Sequence, residues 1–345
     1  MNRILLLLLL LVGAALAAAG WQWYAYRSEP LTMTSSPVRV RVERGAGLPA
    51  IARSAQREGV DLPGWRLWLA ARLRGDARSI KAGVYELAAP TTLASLLDKM
   101  VRGEVVLCEL TVVEGWTFRQ MRAAIAHQPD LLHDTAGLSD LEILQRLGAP
   151  EPHPEGLFFP NTYRFSPGST DLEVYRQAYR LLKRTLEDAW QARDPGVPLA
   201  DPYQALILAS VVEKETARES DRDKVAAVFA NRLRRGMLLQ SDPTTIYGLG
   251  EKFDGNLRKR DLQADSPYNT YTRTGLPPTP IALPGKASIA AAVRPAPIDA
   301  LYFVARGDGS SEFSADLSAH NRAVAQYQLR RARPPGPDQR GSSSP

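Results

Sequence analysis

Two carboxylates, Glu213 and Glu215, close an apolar run whose only polar side chain between 205 and 212 is Ser210. Asp201 followed by Pro202 supplies an N-cap and a first helical residue, so the pattern predicts a helix buried on all sides with both acids on its last turn. A carboxylate beside an apolar wall loses hydration, and at a helix C-terminus it meets the negative end of the dipole; both effects disfavour its ionised form. A carboxyl with a raised pKa suits protonation of a leaving alcohol near neutral pH, as in cleavage of a glycosidic bond. The commoner use of such a pattern is a solvated helix end on which the acids pair with Lys214, Arg218 or Arg222. Periodicity does not choose between the two acids. Glu213 shares a stripe with Leu206, Ala209 and Ser210, whereas Glu215 stacks on Leu208, Val211 and Val212.

Other stretches gain meaning beside these acids. The run 240–248 holds Gln240, Ser241, Asp242, Thr244 and Tyr247, small polar groups and a phenol suited to saccharide hydroxyls, or else a helix capped by Ser241 or Asp242. Tyr268, Asn269 and Tyr271 in the run 266–271 read in the same two ways, as a sugar-binding loop or as turn chemistry. The proline-rich run 275–281 is rigid and extended enough to wall a cleft. Phe158 and Phe159 read as core, and His320 reads as structural. No zinc spacing, P-loop or nucleophile elbow occurs, and no metal or cofactor is expected. An ordinary glycan hydrolase needs a second carboxylate opposite the first, for which Asp242 and Asp254 are candidates.

The elements that must position these groups are α+β in character. The 345 residues carry 43 Lys and Arg against 37 Asp and Glu, intermixed along the chain, which argues against a dedicated nucleic-acid face. The single Cys108 excludes an internal disulfide and reads as a buried, inert thiol. After Arg3 an apolar run leads to Trp21, Trp23, Tyr24 and Tyr26, aromatics of the kind found at a membrane interface. Residues 4–23 make about 20 residues, or ~30 Å of helix, enough to cross the hydrocarbon core. An uncleaved single-pass anchor over 1–27 is therefore expected, with a cleaved signal peptide as the alternative. Residues 28–37 read as a linker. Val38, Val40 and Val42 alternate with polar residues as in a half-buried strand, and 84–87 forms another. Helices follow near 51–55, 65–73 and 93–101, the last capped by Thr91 or Thr92 and ended by Gly103. A longer strand is expected over 105–113, then helices starting at Thr117 with Gln120, over 171–193, and at Ser220 with Asp223. The tail 334–345 is of low complexity and is expected to be disordered.

In order, the chain carries Lys81-Ala82-Gly83-Val84-Tyr85, Glu114-Gly115 and Glu155-Gly156-Leu157-Phe158-Phe159-Pro160-Asn161-Thr162-Tyr163. Then come Leu208-Ala209-Ser210-Val211-Val212-Glu213-Lys214-Glu215-Thr216, Asn231-Arg232-Leu233 and Leu239-Gln240-Ser241-Asp242-Pro243-Thr244. The motifs at 266–271, 275–281, Pro284-Gly285, Tyr302-Phe303-Val304 and His320-Asn321 complete the series. This series resembles the YceG-like endolytic murein transglycosylases, the MltG family, over about 38–330. The resemblance implies a single N-terminal transmembrane helix, a LysM-like subdomain over 38–113 and a mixed α/β catalytic domain over 114–333. It further implies an enzyme of the inner membrane whose catalytic domain faces the periplasm and acts on peptidoglycan, with peptidoglycan synthases as candidate partners. It selects Glu213 as the catalytic acid for cleavage of the β-1,4 bond between N-acetylmuramic acid and N-acetylglucosamine. There the muramyl C6 hydroxyl attacks C1 and leaves a 1,6-anhydro end, which limits strand length. A muramidase-type hydrolase and a non-enzymatic peptidoglycan-binding protein are the alternatives.

Overall fold

The computed structural model describes residues 3–216 and 218–329, so the tail expectation for 334–345 lies outside the described residues. The architecture is mixed α/β and divides into two compact units, one running to Glu109 and taking in Arg164–Ser169, the other made of Leu110–Tyr163 and the chain from Thr170 onward.

In the first unit, helix α1 (Arg3–Ser28) carries the apolar run and is the one described helix long and apolar enough to cross a membrane. The alternating valines form strand β1 (Val38–Val42), buried at every second residue and antiparallel to β2 (Gly83–Leu87), with Val40 opposite Tyr85. Helices α2 (Leu48–Arg57), α3 (Gly64–Arg74) and α4 (Leu93–Arg102) cover this ribbon around a core that includes Ile51, Leu62, Leu67, Tyr85 and Met100. The cap of α4 is Thr92, whose side chain accepts from the Ser95 N–H in a reciprocal capping box, and Gly103 ends the helix at φ 74°. Residues 28–37, read as a linker, are bonded to the first unit. Leu31 is buried, its N–H donates to Thr91 O at 2.8 Å and the Thr34 N–H donates to Gly59 O at 2.9 Å. Leu31 and Met33 gave this segment a core to join, and its backbone found partners there.

The expected strand over 105–113 contracts to Cys108–Thr111, and Cys108 is only half-buried. In the second unit, α5 (Phe118–Ala126) starts at the expected Thr117–Gln120 capping box, α6 (Asp140–Leu147) follows, and α7 (Asp171–Gln191) lies with Val174, Tyr175, Ala178 and Leu182 fully buried. Phe158 stacks on Phe118 at 5.1 Å and meets Tyr175 edge-on at 5.5 Å, the core role expected of it. Helix α8 (Pro202–Glu215) is buried over 205–212, with Asp201 capping the Gln204 N–H. It packs against α7, α9 (Glu219–Arg234), α10 (Asp242–Leu249) and α12 (Lys286–Val293). The start expected at Ser220 with Asp223 is corrected: Arg218 occupies the N-cap position without a side-chain cap, and the Asp223 carboxylate accepts from its neighbour Lys224 N–H instead. The short helix α11 (Lys259–Gln263) and α13 (Leu317–Val324) complete the helices, the latter beside a hairpin of Tyr302–Ala305 and Ser311–Ser314. His320 stacks on Tyr302 at 5.2 Å and burial lowers its pKa.

Glu155 caps α5 from a distance. It is 3% exposed, accepts from the Phe118 N–H at 2.8 Å and from Tyr247 Oη at 3.1 Å, and burial pushes it up to about 7.

Candidate active site

Helix α8 delivers Glu213 between two loops. Glu213 Oε2 accepts from the Gly285 N–H at 2.9 Å, at the N-terminus of α12. The loop at 114–116 is joined to the one at 283–285 by two backbone bonds, Gly115 N–H to Leu283 O at 2.9 Å and Leu283 N–H to Trp116 O at 2.7 Å. Lys214 Nζ donates to Gly115 O at 3.2 Å, so the residue after Glu213 ties the same loop down. Deeper in α8, Ser210 Oγ accepts from the Ile281 N–H at 3.0 Å and anchors the proline-rich run. The run 275–281 is thus tied to α8 just before the 283–285 loop.

Gly285 separates two carboxylates. A Cβ placed there would fall inside van der Waals contact with the Glu114 carboxylate, so Glu114 packs directly on the Gly285 backbone whose N–H holds Glu213. Glu114 keeps a face to solvent. Partial desolvation and then the charge of Glu213 push its pKa up, while Arg222 draws it down. Arg222 Nε is buried with no hydrogen-bond partner among the described residues, an unspent donor near this pair. The arrangement offers one carboxylate held by a backbone N–H and a second carboxyl open to solvent with its pKa raised, groups suited to proton transfer at an oxygen atom. Glu114 was not singled out as a chemical group in the sequence, where Asp242 and Asp254 were the candidates for a second carboxylate. Asp254 is instead paired with Arg258 at 2.6 Å, and Asp242 accepts from Tyr271 Oη at 2.6 Å. The only sequence signal for Glu114 was its place in a motif with Gly115.

Glu215 has different surroundings. Ser241 Oγ donates to Glu215 Oε2 at 3.0 Å, and Ser241, although at the N-cap of α10, makes no side-chain cap there because the hydroxyl is used on Glu215. Burial pushes Glu215 up to about 7 against the Ser241 bond, which lowers it. Arg232 on α9 is buried beneath this cluster, donating to Leu301 O at 2.7 Å, Leu239 O at 2.8 Å and Gln240 Oε1 at 3.2 Å.

The remaining expected binding residues are hydrogen-bonded within the fold. Thr244 Oγ1 donates to Ser241 O at 2.7 Å, and the buried Asn269 amide donates to Leu262 O at 3.0 Å and Ala264 O at 2.6 Å while its Oδ1 accepts from the Tyr271 N–H at 2.9 Å. Tyr268 Oη shares a bond with Thr279 Oγ1 at 2.9 Å, and the Tyr247 and Tyr268 rings meet edge-on at 4.9 Å. Ser241, Thr244 and Asn269 are buried and their polar atoms serve the fold of the loops. Gln240 and Asp242 are exposed, and Tyr247, Tyr268 and Tyr271 are half-buried, so this outer set retains surface that a ligand can reach.

Two buried acids at about 7 give a pH dependence with a definite sign. Unfolded glutamate titrates near ~4.3, so the folded chain holds more protons between there and about 7; the stability from Glu155 and Glu215 is full below that window and is lost as pH rises through it. The thermal midpoint is expected to fall by on the order of 5 °C between pH 5 and pH 8, and by clearly less in a Glu155→Gln, Glu215→Gln double variant. Calorimetry at the two pH values checks this. A wild-type midpoint that rises over the same interval would show that these groups ionise in the folded state as freely as in solution.

The YceG-like family model matches residues 40–326. The endolytic murein transglycosylase of Bacillus subtilis (strain 168) is 32% identical over 317 residues, covering 87% of each chain. That of Streptococcus pneumoniae serotype 2 is 27% identical over 333 residues, covering 84% of this chain and 58% of the longer streptococcal protein. A solved structure of a yceG-like protein from Listeria monocytogenes superposes with a TM-score of 0.53 at 28% identity, covering 84% of this chain and 99% of that one. With the match spanning both compact units and every motif that builds the Glu213 site, the chain belongs to the YceG-like family.

Proposed function

We propose that the protein is an endolytic lytic transglycosylase that cleaves the β-1,4 bond between N-acetylmuramic acid and N-acetylglucosamine within nascent peptidoglycan strands and so limits their length. The observation that carries this reading is Glu213 on the last turn of a buried helix, fixed by the Gly285 N–H and faced by Glu114, in a chain whose curated relatives are named endolytic murein transglycosylases. Glu213 protonates the glycosidic oxygen as the bond to C1 breaks, and then takes the proton of the muramyl C6 hydroxyl as that oxygen bonds to C1. The product is a 1,6-anhydromuramyl end, and no water is consumed. One carboxylate thus serves as acid and then as base.

Gln240, Asp242, Tyr247, Tyr268 and Tyr271 present the surface that binds the glycan, with Ser241, Thr244 and Asn269 shaping it from behind. Helix α1 anchors the chain in the inner membrane, the folded units lie on the periplasmic side where the polymer is, and 38–113 acts as a LysM-like glycan-holding module. Peptidoglycan synthases, which supply nascent strands, are the partner class.

Digestion of uncrosslinked glycan strands, with mass analysis of the new ends, tests the reading. Anhydromuramyl ends support it; hydrated reducing ends would replace it with a muramidase, and binding without turnover would leave a wall-binding protein. Glu215→Gln is expected to retain activity well above the ~10²-fold loss that removal of a general acid brings, since the amide still accepts from Ser241. Initial rates on the same strands measure it.

A further inference from the structure

We infer that helix α3 lies in the headgroup layer of the bilayer that α1 crosses, with Trp65, Trp68 and Leu73 among the outer ends of the acyl chains and Arg72 at the phosphates. The inference goes beyond the activity and rests on the anchor role given to α1. A surface helix of a soluble domain shows one apolar stripe towards its core and a polar face outward. Helix α2 does this, with Ile51, Ala52 and Ala55 buried and Arg53, Gln56 and Arg57 outward. Helix α3 is apolar on both sides. Leu67 and Ala71 are fully buried in the core, while Trp65 is 56%, Trp68 50% and Leu73 72% exposed. At 100° per residue Trp65, Trp68, Leu69, Arg72 and Leu73 share the outward face.

The position of α3 gives this face its partner. The C-terminal end of α1 is fixed to the unit: Ala25 is buried, Arg74 Nη1 donates to Tyr26 Oη at 2.8 Å, and Arg66 pairs with Glu29 at 2.9 Å. A groove of about 380 Å³ runs between α1 and α3, with Ala18, Ala19 and Trp23 on one wall and Trp65, Leu69 and Leu73 on the other. The candidate span covers Leu5–Ser28, 24 residues, which is longer than the hydrocarbon core requires, so its last turns stand in the interface. Residues 4–23 suffice to cross the hydrocarbon, so a helix beside Ala18–Tyr26 lies against the outer end of the acyl chains and the interface above them. A stripe of tryptophan and leucine with arginine is the composition that settles at that depth.

Charge points to anionic phospholipid. Helix α3 has three arginines and no acid. Arg66 is used on Glu29 and Arg74 on Asp76 and Asp98, but Arg72 is exposed and makes no ion pair among the described residues. The groove between the two helices, lined by small and aromatic side chains, fits an acyl chain.

The test uses the full chain with Cys108→Ser, reconstituted in vesicles of phosphatidylethanolamine and phosphatidylglycerol. Nitroxide labels are placed on single cysteines introduced as Trp68→Cys, Leu73→Cys, Leu10→Cys and Arg57→Cys. Collision with oxygen, which partitions into the bilayer, is compared with collision with a water-soluble nickel chelate. Positions 68 and 73 are expected to show an oxygen-to-chelate ratio several-fold above that of 57 and to approach that of 10. If 10 is buried in lipid while 68 and 73 behave as 57, the inference is overturned and the anchor stands. If 10 itself is open to the chelate, the anchor reading fails and the inference falls with it. If shielding at 68 and 73 appears only at high protein-to-lipid ratios, a second copy covers the face and the lipid assignment is overturned.

Discussion

Glu213→Gln is expected to reduce glycan-strand cleavage by about 10² to 10⁴-fold, the range that general acid–base catalysis contributes, while the protein folds normally. The amide matches the carboxyl in size and its oxygen still accepts from the Gly285 N–H, so the bond that joins α8 to the 283–285 loop survives. What is lost is the proton and the ability to receive one. Stability is expected to rise slightly if it moves at all, because the like charge beside Glu114 is gone and a group at the negative end of α8 has been neutralised. The Glu114 carboxyl should then titrate closer to an ordinary glutamate, which lowers its pKa in the variant. Turnover of uncrosslinked strands, thermal midpoint and a carbon-13 titration of Glu114 read the three consequences separately. Retained formation of anhydromuramyl ends at the wild-type rate would remove Glu213 from the mechanism.

How far these groups were legible in the sequence depended on the range of the interactions. Helix α8, its Asp201 cap and its burial were written in the twelve consecutive residues 201–212, the capping box at Thr117 in four, and the cap of α4 in the adjacent pair Thr91 and Thr92. Signals of that length are local and survive folding unchanged. The start of α9 was misplaced because Ser220 and Asp223 satisfied the local pattern while the backbone began its helix at Glu219 without a side-chain cap. The choice between Glu213 and Glu215 was not local at all. What distinguishes their surroundings is Ser241, 26 residues further on, which bonds Glu215, and Gly285, 72 residues on, whose N–H bonds Glu213. Glu114 is more distant still, and nothing in its own neighbourhood but Gly115 marked it. Likewise Asn269 looked like a sugar-binding amide, yet three carbonyls within eight residues of it, Asp261, Leu262 and Ala264, lie around its side-chain nitrogen. A side-chain amide is equally suited to a ligand and to a turn, and only the folded loop shows which groups reach it first.

Gly285→Ala is expected to lower the rate by about 10²-fold with a modest loss of stability, an effect out of proportion to one methyl group. Gly285 has φ −75°, so alanine is conformationally acceptable there, and the penalty is steric. The new Cβ would occupy the place of the Glu114 carboxylate. Either Glu114 swings out to solvent, or the 283–285 backbone shifts and carries with it the N–H that holds Glu213. The first outcome removes the second carboxyl from the pair; the second displaces the proposed acid, and misplacement by about 1 Å is enough for a loss of this size. The two are separable by a double-mutant cycle with Glu114→Ala. If the clash acts through the Glu114 side chain alone, Gly285→Ala adds nothing to Glu114→Ala, and both single variants should share a pH–rate profile altered in the same way. If the backbone moves, Gly285→Ala alone is slower than Glu114→Ala, and adding Glu114→Ala to it restores the rate to that of Glu114→Ala, because removing the carboxylate removes the clash and lets the 285 N–H return to Glu213. Initial rates across pH for the four proteins, with thermal midpoints to confirm folding, decide between them. A Gly285→Ala protein as active as the wild type would mean that neither the Glu114 contact nor the position of the 285 N–H matters to the reaction, and the site as built here would have to be abandoned.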